Sequence, residues 1–284
     1  MTAQRKRERP RTTQRADARQ KQRPKARPAA RGERPWLLPV GVTLGLVVLA
    51  VVFFVINARS SPPAPNPTPP ASVLSQLAKV SPATLAAVGS GSATTKGFRH
   101  VSEQPLTSGG KPEVLYMGAE YCPYCGAERW ALIVALSRFG TFSGVQTLMS
   151  AEASVPTFTF RNASYSSAYI AFVPVELYDN AGKPLRQPTS QQSALLSKYA
   201  TGYPFVDFGN QLSFDGATYD YNLLTTSTWL DIADALGTPG SPQAQGILGS
   251  ANLITASICK ITGDQPASVC SDPVIQRLKS GLPG

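Results

Sequence analysis

Residues 36–56 form a run of 21 residues with no charged side chain, rich in Val and Leu, with Trp36 at one margin and Arg59 just past the other. As a helix rising about 1.5 Å per residue, such a run is roughly 30 Å long, enough to cross the hydrocarbon core of a bilayer. It exceeds the roughly 7–15 residues of a secretory signal core, and no small-x-small cleavage site stands out after it. An uncleaved transmembrane helix is expected, which divides the chain into a short N-terminal tail and a larger C-terminal part.

Residues 1–35 carry 13 Lys or Arg against 3 acids, which is the whole of the chain's +10 formal charge. The rest is neutral, with 14 basic and 14 acidic residues, so the global charge says nothing about the larger part. The tail lacks an aromatic residue before Trp36 and any helical apolar period, and it contains several prolines. It reads as a disordered basic cytoplasmic tail that sets topology, with no nucleic-acid partner expected. Only Arg59 lies between the span and Lys79, so the positive-inside rule predicts a single-pass cell-membrane protein with its C-terminal part outside the cytoplasm. Four cysteines then sit in a compartment where disulfides persist.

Residues 57–71 are a Pro-rich linker, with six Pro within 60–70. A helical lead-in segment, 72–110, has apolar positions Val73, Leu77, Val80, Leu85 and Val88, a stop at Gly89 and a Gly/Ser/Thr stretch after it. From 111 to 237 strand and helix patterns alternate. Strand 113–118 precedes an amphipathic helix at 123–138 with Trp130, Ile133 and Leu136 on related faces. Strands follow at 145–149, 156–160 and 168–178, the last interrupted at Pro174. A helix is expected at 189–199, a hairpin at 203–214 around Gly209-Asn210, and a helix at 225–236. Residues 238–284 read as a helical extension carrying Cys259 and Cys270. The order β, α, β, insertion, β, β, α is that of an α/β thioredoxin-like sandwich with an insertion.

Cys122-Pro123-Tyr124-Cys125 stands at the junction of the 113–118 strand and its helix. Unpaired backbone N–H groups and the helix dipole stabilise a thiolate there. Cys122, nearer the exposed helix start, is the candidate nucleophile, and Cys125, one turn on, the candidate resolving thiol. So short a closed loop removes little chain entropy, which argues against a purely stabilising bond. A structural or vestigial pair and a metal-handling pair remain as alternatives.

Cys259 and Cys270 are too far apart in sequence for the usual zinc pattern, and no metal site or cofactor is expected. The simplest account is a structural disulfide pinning the extension, and closing a loop of about 12 residues stabilises by roughly 3 kcal/mol. A relay to Cys122 is the sharper alternative. His100, the only histidine, reads as an incidental surface residue, and Asn162-Ala163-Ser164 matches a glycosylation acceptor pattern.

The segment Ala119-Glu120-Tyr121-Cys122-Pro123-Tyr124-Cys125 resembles the active-site segment of thioredoxin-fold proteins, and Pro123-Tyr124 is similar to the dipeptide of glutaredoxins. Tyr203-Pro204-Phe205 with its following hairpin and helix resembles the cis-proline segment of that fold. The resemblance gives Pro204 the role of wall beside the redox pair and Tyr203 that of substrate contact, in preference to Pro156. Over its length the chain resembles an uncharacterised family of membrane-anchored, thioredoxin-like proteins classed as a domain of unknown function, with matching features from about Pro112 through Cys270. Where thioredoxins bury an acid six residues before the first Cys, this chain has Tyr116, with Glu120 and Glu128 as the nearest acids. The implied activity is thiol–disulfide exchange, as oxidase, isomerase or reductase, on cysteine-containing exported proteins, with a membrane redox partner as a further candidate. The rival is a non-enzymatic envelope binding module.

Overall fold

The computed structural model describes Pro69 and residues 71–284. The expected basic tail, the transmembrane run and all of the linker except Pro69 and Ala71 lie outside the described residues. Among the described residues no helix is long and apolar enough to cross a membrane.

Two short helices come first, α1 (Ala71–Ala78) and α2 (Pro82–Val88), broken where Ser81 caps the second and Pro82 begins it. Strands β1 (Phe98–His100), β2 (Thr107–Ser108) and β3 (Lys111–Ala119) lead into α3 (Pro123–Ser137). Four short strands follow: β4 (Gly140–Ser143), β5 (Gln146–Met149), β6 (Pro156–Thr159) and β7 (Ser164–Ser167). Then come β8 (Ala171–Tyr178), α4 (Ser190–Tyr199), β9 (Phe205–Phe208), β10 (Leu212–Asp215) and α5 (Trp229–Ala235). The chain ends in α6 (Pro242–Ile261), α7 (Ala267–Cys270) and α8 (Pro273–Ser280).

These elements make a mixed α/β fold around one mixed sheet. β1, β10, β9 and β3 neighbour one another in that order, and β3 also pairs with β8 and, at its first residues, with β2. β9 runs antiparallel to β3, with Leu115 opposite Asp207 and Met117 opposite Phe205. β8 runs parallel to β3, with Leu115 opposite Val173 and Gly118 opposite Glu176. A parallel pair needs a long crossover, which α3 and the four short strands supply. Pro174 is tolerated because β8 lies at an edge, where a missing donor costs no ladder bond.

Successive residues of β3 point to opposite faces, and both faces are covered. Val114 and Tyr116 join the large core with α3, while Leu115 and Met117 pack with Leu195 of α4 and Phe205. The helix at 123–137 is not amphipathic in effect. Every residue of α3 except Tyr124 and Ser137 is buried, because α6 packs over the side turned from the sheet. Small residues permit the approach of α6 to its surroundings, for a Cβ on Gly249 would overlap the Ser90 carbonyl.

Two sequence expectations change. Residues 145–149 do form a strand, but β5 pairs with β6 in a ribbon of its own, β4 pairs with β7 in another, and β8 takes the place beside β3. The eight residues of β8 run along seven positions of β3, from Glu113 to Ala119, and cover more of its edge than the four residues of β5 can. The insertion therefore precedes the second strand of the sheet. The lead-in segment is only partly helical, since β1 pairs with β10 through Phe98 opposite Phe214 and His100 opposite Leu212. Its exposed His100 stands at the sheet edge.

Candidate functional site: two free thiols at the start of α3

Cys122 is the N-cap of α3. Its backbone is extended (φ −76°, ψ 124°), Pro123 occupies the first helical position, and its sulfur accepts the Cys125 N–H at 3.3 Å. Pro123 loses nothing there, as that N–H has no partner in the helix. Cys122 and Cys125 are both free and buried, Cys122 retaining 7% of its surface and Cys125 none.

Their environments split the two thiols. Hydrogen bonds from the Cys125 thiol and backbone N–H, the Arg129 charge and the Tyr124 N–H outweigh burial and lower the Cys122 thiol to about 7. Cys125 is pushed the other way by its complete burial and by its hydrogen bond to Cys122. These surroundings favour the thiolate at Cys122 and keep Cys125 protonated at neutral pH.

The Tyr203–Pro204 peptide is cis, whereas Pro156 follows no cis bond. The Tyr203 carbonyl lies 4.0 Å from Cys122 Sγ, where the thiol points at it. Tyr121, Tyr178 and Tyr203 pack around the pair, with ring centroids 6.3 Å apart for Tyr121 and Tyr178 and 6.5 Å for Tyr178 and Tyr203. Tyr124, 49% exposed, leans edge-on against Tyr221 at 4.9 Å. A shallow groove along Leu196, Ala200, Gly202 and Tyr203 adjoins this rim.

Below the thiols lies a pair that sequence reasoning missed. Arg129 and Glu176 are buried and joined twice, Nε to Oε1 at 3.2 Å and Nη2 to Oε2 at 2.7 Å, and Arg129 Nη2 also donates to the Ala119 carbonyl at 2.9 Å. A signal existed for Glu176, a lone charge inside the apolar run 171–178, since a buried charge demands a partner. Tyr116 lies under the Arg129 guanidinium, 5.7 Å from ring centroid to Cζ, and edge-on to Phe160. Gly118 makes room here, because a Cβ on it would overlap Tyr116 Oη and stand 3.2 Å from Cys125 Sγ.

The acids nearest in sequence are committed elsewhere. Glu120 binds Arg161 at 2.7 Å and Thr159 at 2.7 Å. Glu128 accepts from Ser250 at 2.6 Å and from the Thr218 N–H at 3.0 Å, and burial raises its carboxyl to about 7. Cys259 and Cys270 are bonded to each other, with Cα atoms 5.6 Å apart, and belong to the large helical core. Among the described residues no group of three or more His, Cys, Asp or Glu is placed to hold a metal ion.

Residues 97–260 match a family model described as Domain of unknown function (DUF929). The match runs from just before β1 to just past Cys259, so it takes in the edge strand that a start near Pro112 would omit and stops short of Cys270. No curated protein matches the chain, and neither does any solved structure. The match spans more than half the chain and contains both free thiols, the Arg129–Glu176 pair and the Tyr203–Pro204 segment, and the chain accordingly belongs to the DUF929 family.

Proposed function

We propose that this protein is a membrane-anchored thiol–disulfide oxidoreductase of thioredoxin-like architecture, acting outside the cytoplasm on cysteine-containing exported proteins. The observation that carries the reading is Cys122 itself, a free thiol lowered to about 7 at a helix N-cap and facing the carbonyl before Pro204. The architectural part is supported by β3, α3 and the parallel β8, followed by the antiparallel β9 and β10 and a helix, with the cysteines at the β3–α3 junction. The anchor rests on the apolar run 36–56 and the basic tail before it.

In the first step the Cys122 thiolate attacks a substrate disulfide and releases one substrate thiolate. In the second Cys125 displaces the remaining sulfur and closes the Cys122–Cys125 bond. Tyr121, Tyr178, Tyr203 and the neighbouring groove supply apolar contact for an extended segment, and a membrane redox protein resets the pair. Cys125→Ser in cells is expected to leave Cys122 trapped in mixed disulfides with exported proteins, seen as adducts on a non-reducing gel that Cys122→Ser abolishes. Absence of adducts, together with no turnover of a peptide disulfide, would leave the non-enzymatic binding module as the better account. One equivalent of metal on the reduced protein would favour metal handling.

A further inference from the structure

We propose that Tyr116 Oη and Arg129 Nη1 are buried hydrogen-bond donors that stabilise the Cys125 thiolate while Cys125 resolves a mixed disulfide on Cys122, an inference that rests on the thiol–disulfide reading. Both donors are buried and have no hydrogen-bond partner in the reduced protein, in which Cys125 is a neutral thiol. Buried donors are nearly always paired, so two unpaired ones, the Tyr116 Oη next to Cys125 Sγ and the Nη1 of the guanidinium lying over that same phenol ring, call for an explanation. The remaining guanidinium donors are fixed by Glu176 and the Ala119 carbonyl, which holds Arg129 in place over the Tyr116 ring. The bare Cα of Gly118 leaves Oη and Cys125 Sγ flanking one small gap. Donors set in advance where charge develops act without reorganisation during the reaction.

The other groups facing Cys125 do not serve. Cys122 is consumed in the mixed disulfide, and Glu176 is held by Arg129 and by the Phe160 N–H at 3.1 Å. Tyr121, Tyr178 and Tyr203 form the outer rim. Burial raises the Tyr116 phenol above its ordinary range, so it stays protonated and donates. With oxidised glutathione as probe, Cys122 takes one glutathione sulfur and releases the other as thiolate. Cys125 then attacks Cys122 Sγ and breaks the mixed bond, and its proton leaves with the second glutathione. Two protein thiols become one disulfide and one glutathione disulfide becomes two thiols.

The test follows both steps by mass spectrometry after mixing the full-length reduced chain with oxidised glutathione. Tyr116→Phe keeps the ring and removes only Oη, and it is expected to lengthen the life of the Cys122–glutathione adduct about ten-fold or more. The first step, read by adduct formation, should stay within about a factor of two, a split that a general loss of packing would not produce. Equal resolution rates in variant and parent overturn the proposal, as does equal slowing of both steps. If near-UV circular dichroism shows the Phe variant has lost its packing, Arg129→Lys is used, and parent-like resolution there overturns it. A parent chain that forms no adduct overturns the thiol–disulfide reading itself, whereas one that cycles as fast as Tyr116→Phe overturns this inference alone.

Discussion

The two cysteine pairs differ less in burial than in what surrounds them. All four sulfurs are buried, but Cys122 and Cys125 stand at a helix start among tyrosines, whereas Cys259 and Cys270 join α6 to α7 inside the large core. Cys122 receives N–H donors that α3 cannot use internally, and these favour the anion. Cys259 lies within the body of α6 and Cys270 ends α7, and neither has free helix-start donors to stabilise a thiolate. One residue type thus stands as free thiol or as staple, and the free pair is the one whose surroundings leave backbone N–H groups to favour an anion.

The sharpest way to break this contrast is Cys122→Ser. Alkylation of the parent should follow a single titration with midpoint about 7, measured by iodoacetamide labelling across pH, and the variant should abolish it. Labelling of Cys259 or Cys270 in the folded parent would overturn the division of roles. Next in size, Cys259→Ser with Cys270→Ser should lower unfolding stability by about 3 kcal/mol in denaturant titration while glutathione exchange at Cys122 persists. Loss of exchange with intact folding would instead support a relay between the pairs.

The smallest effect concerns Glu128, which ties the helix of one pair to Ser250 on the helix of the other. Its carboxyl titrates near 7 in the fold and near 4.5 in the unfolded chain, so the folded state holds the extra proton between those values. The stability it contributes is full below about pH 4.5 and is lost as pH rises through about 7. Glu128→Gln, neutral throughout, should shrink the fall in stability between pH 5 and 8 by about 2–3 kcal/mol, read from unfolding curves at the two pH values. An unchanged pH profile would mean that another group dominates.

Much of this was legible in local pattern. The strand before Cys122, the α3 start, the 203–214 hairpin and the α6 run follow from periodicity, Pro and Gly placement and capping residues. Thr189 and Thr228 close capping boxes at α4 and α5, and the Thr228 cap starts α5 at Trp229, the first residue of its apolar pattern, rather than at residue 225. What local pattern did not carry was pairing. A four-residue strand such as β5 fits a central sheet or an outlying ribbon equally well, and only the competition for the edge of β3 decides between them.

The same limit applied at the site. The CxxC at a strand-to-helix junction is a local statement that points to Cys122 and Cys125, while Tyr203 and Pro204 enter through a resemblance, and the structure brings the Tyr203 carbonyl to Cys122. The Arg129–Glu176 pair required the parallel pairing of β3 with β8, which brings residues 47 positions apart into one ion pair. The sequence by itself determined which residues could carry the chemistry, because residue type and helix-start position fix a thiol's intrinsic character. Only the tertiary structure decided which thiol is lowered and which raised, since burial and the field of distant charges arise when separate segments pack together.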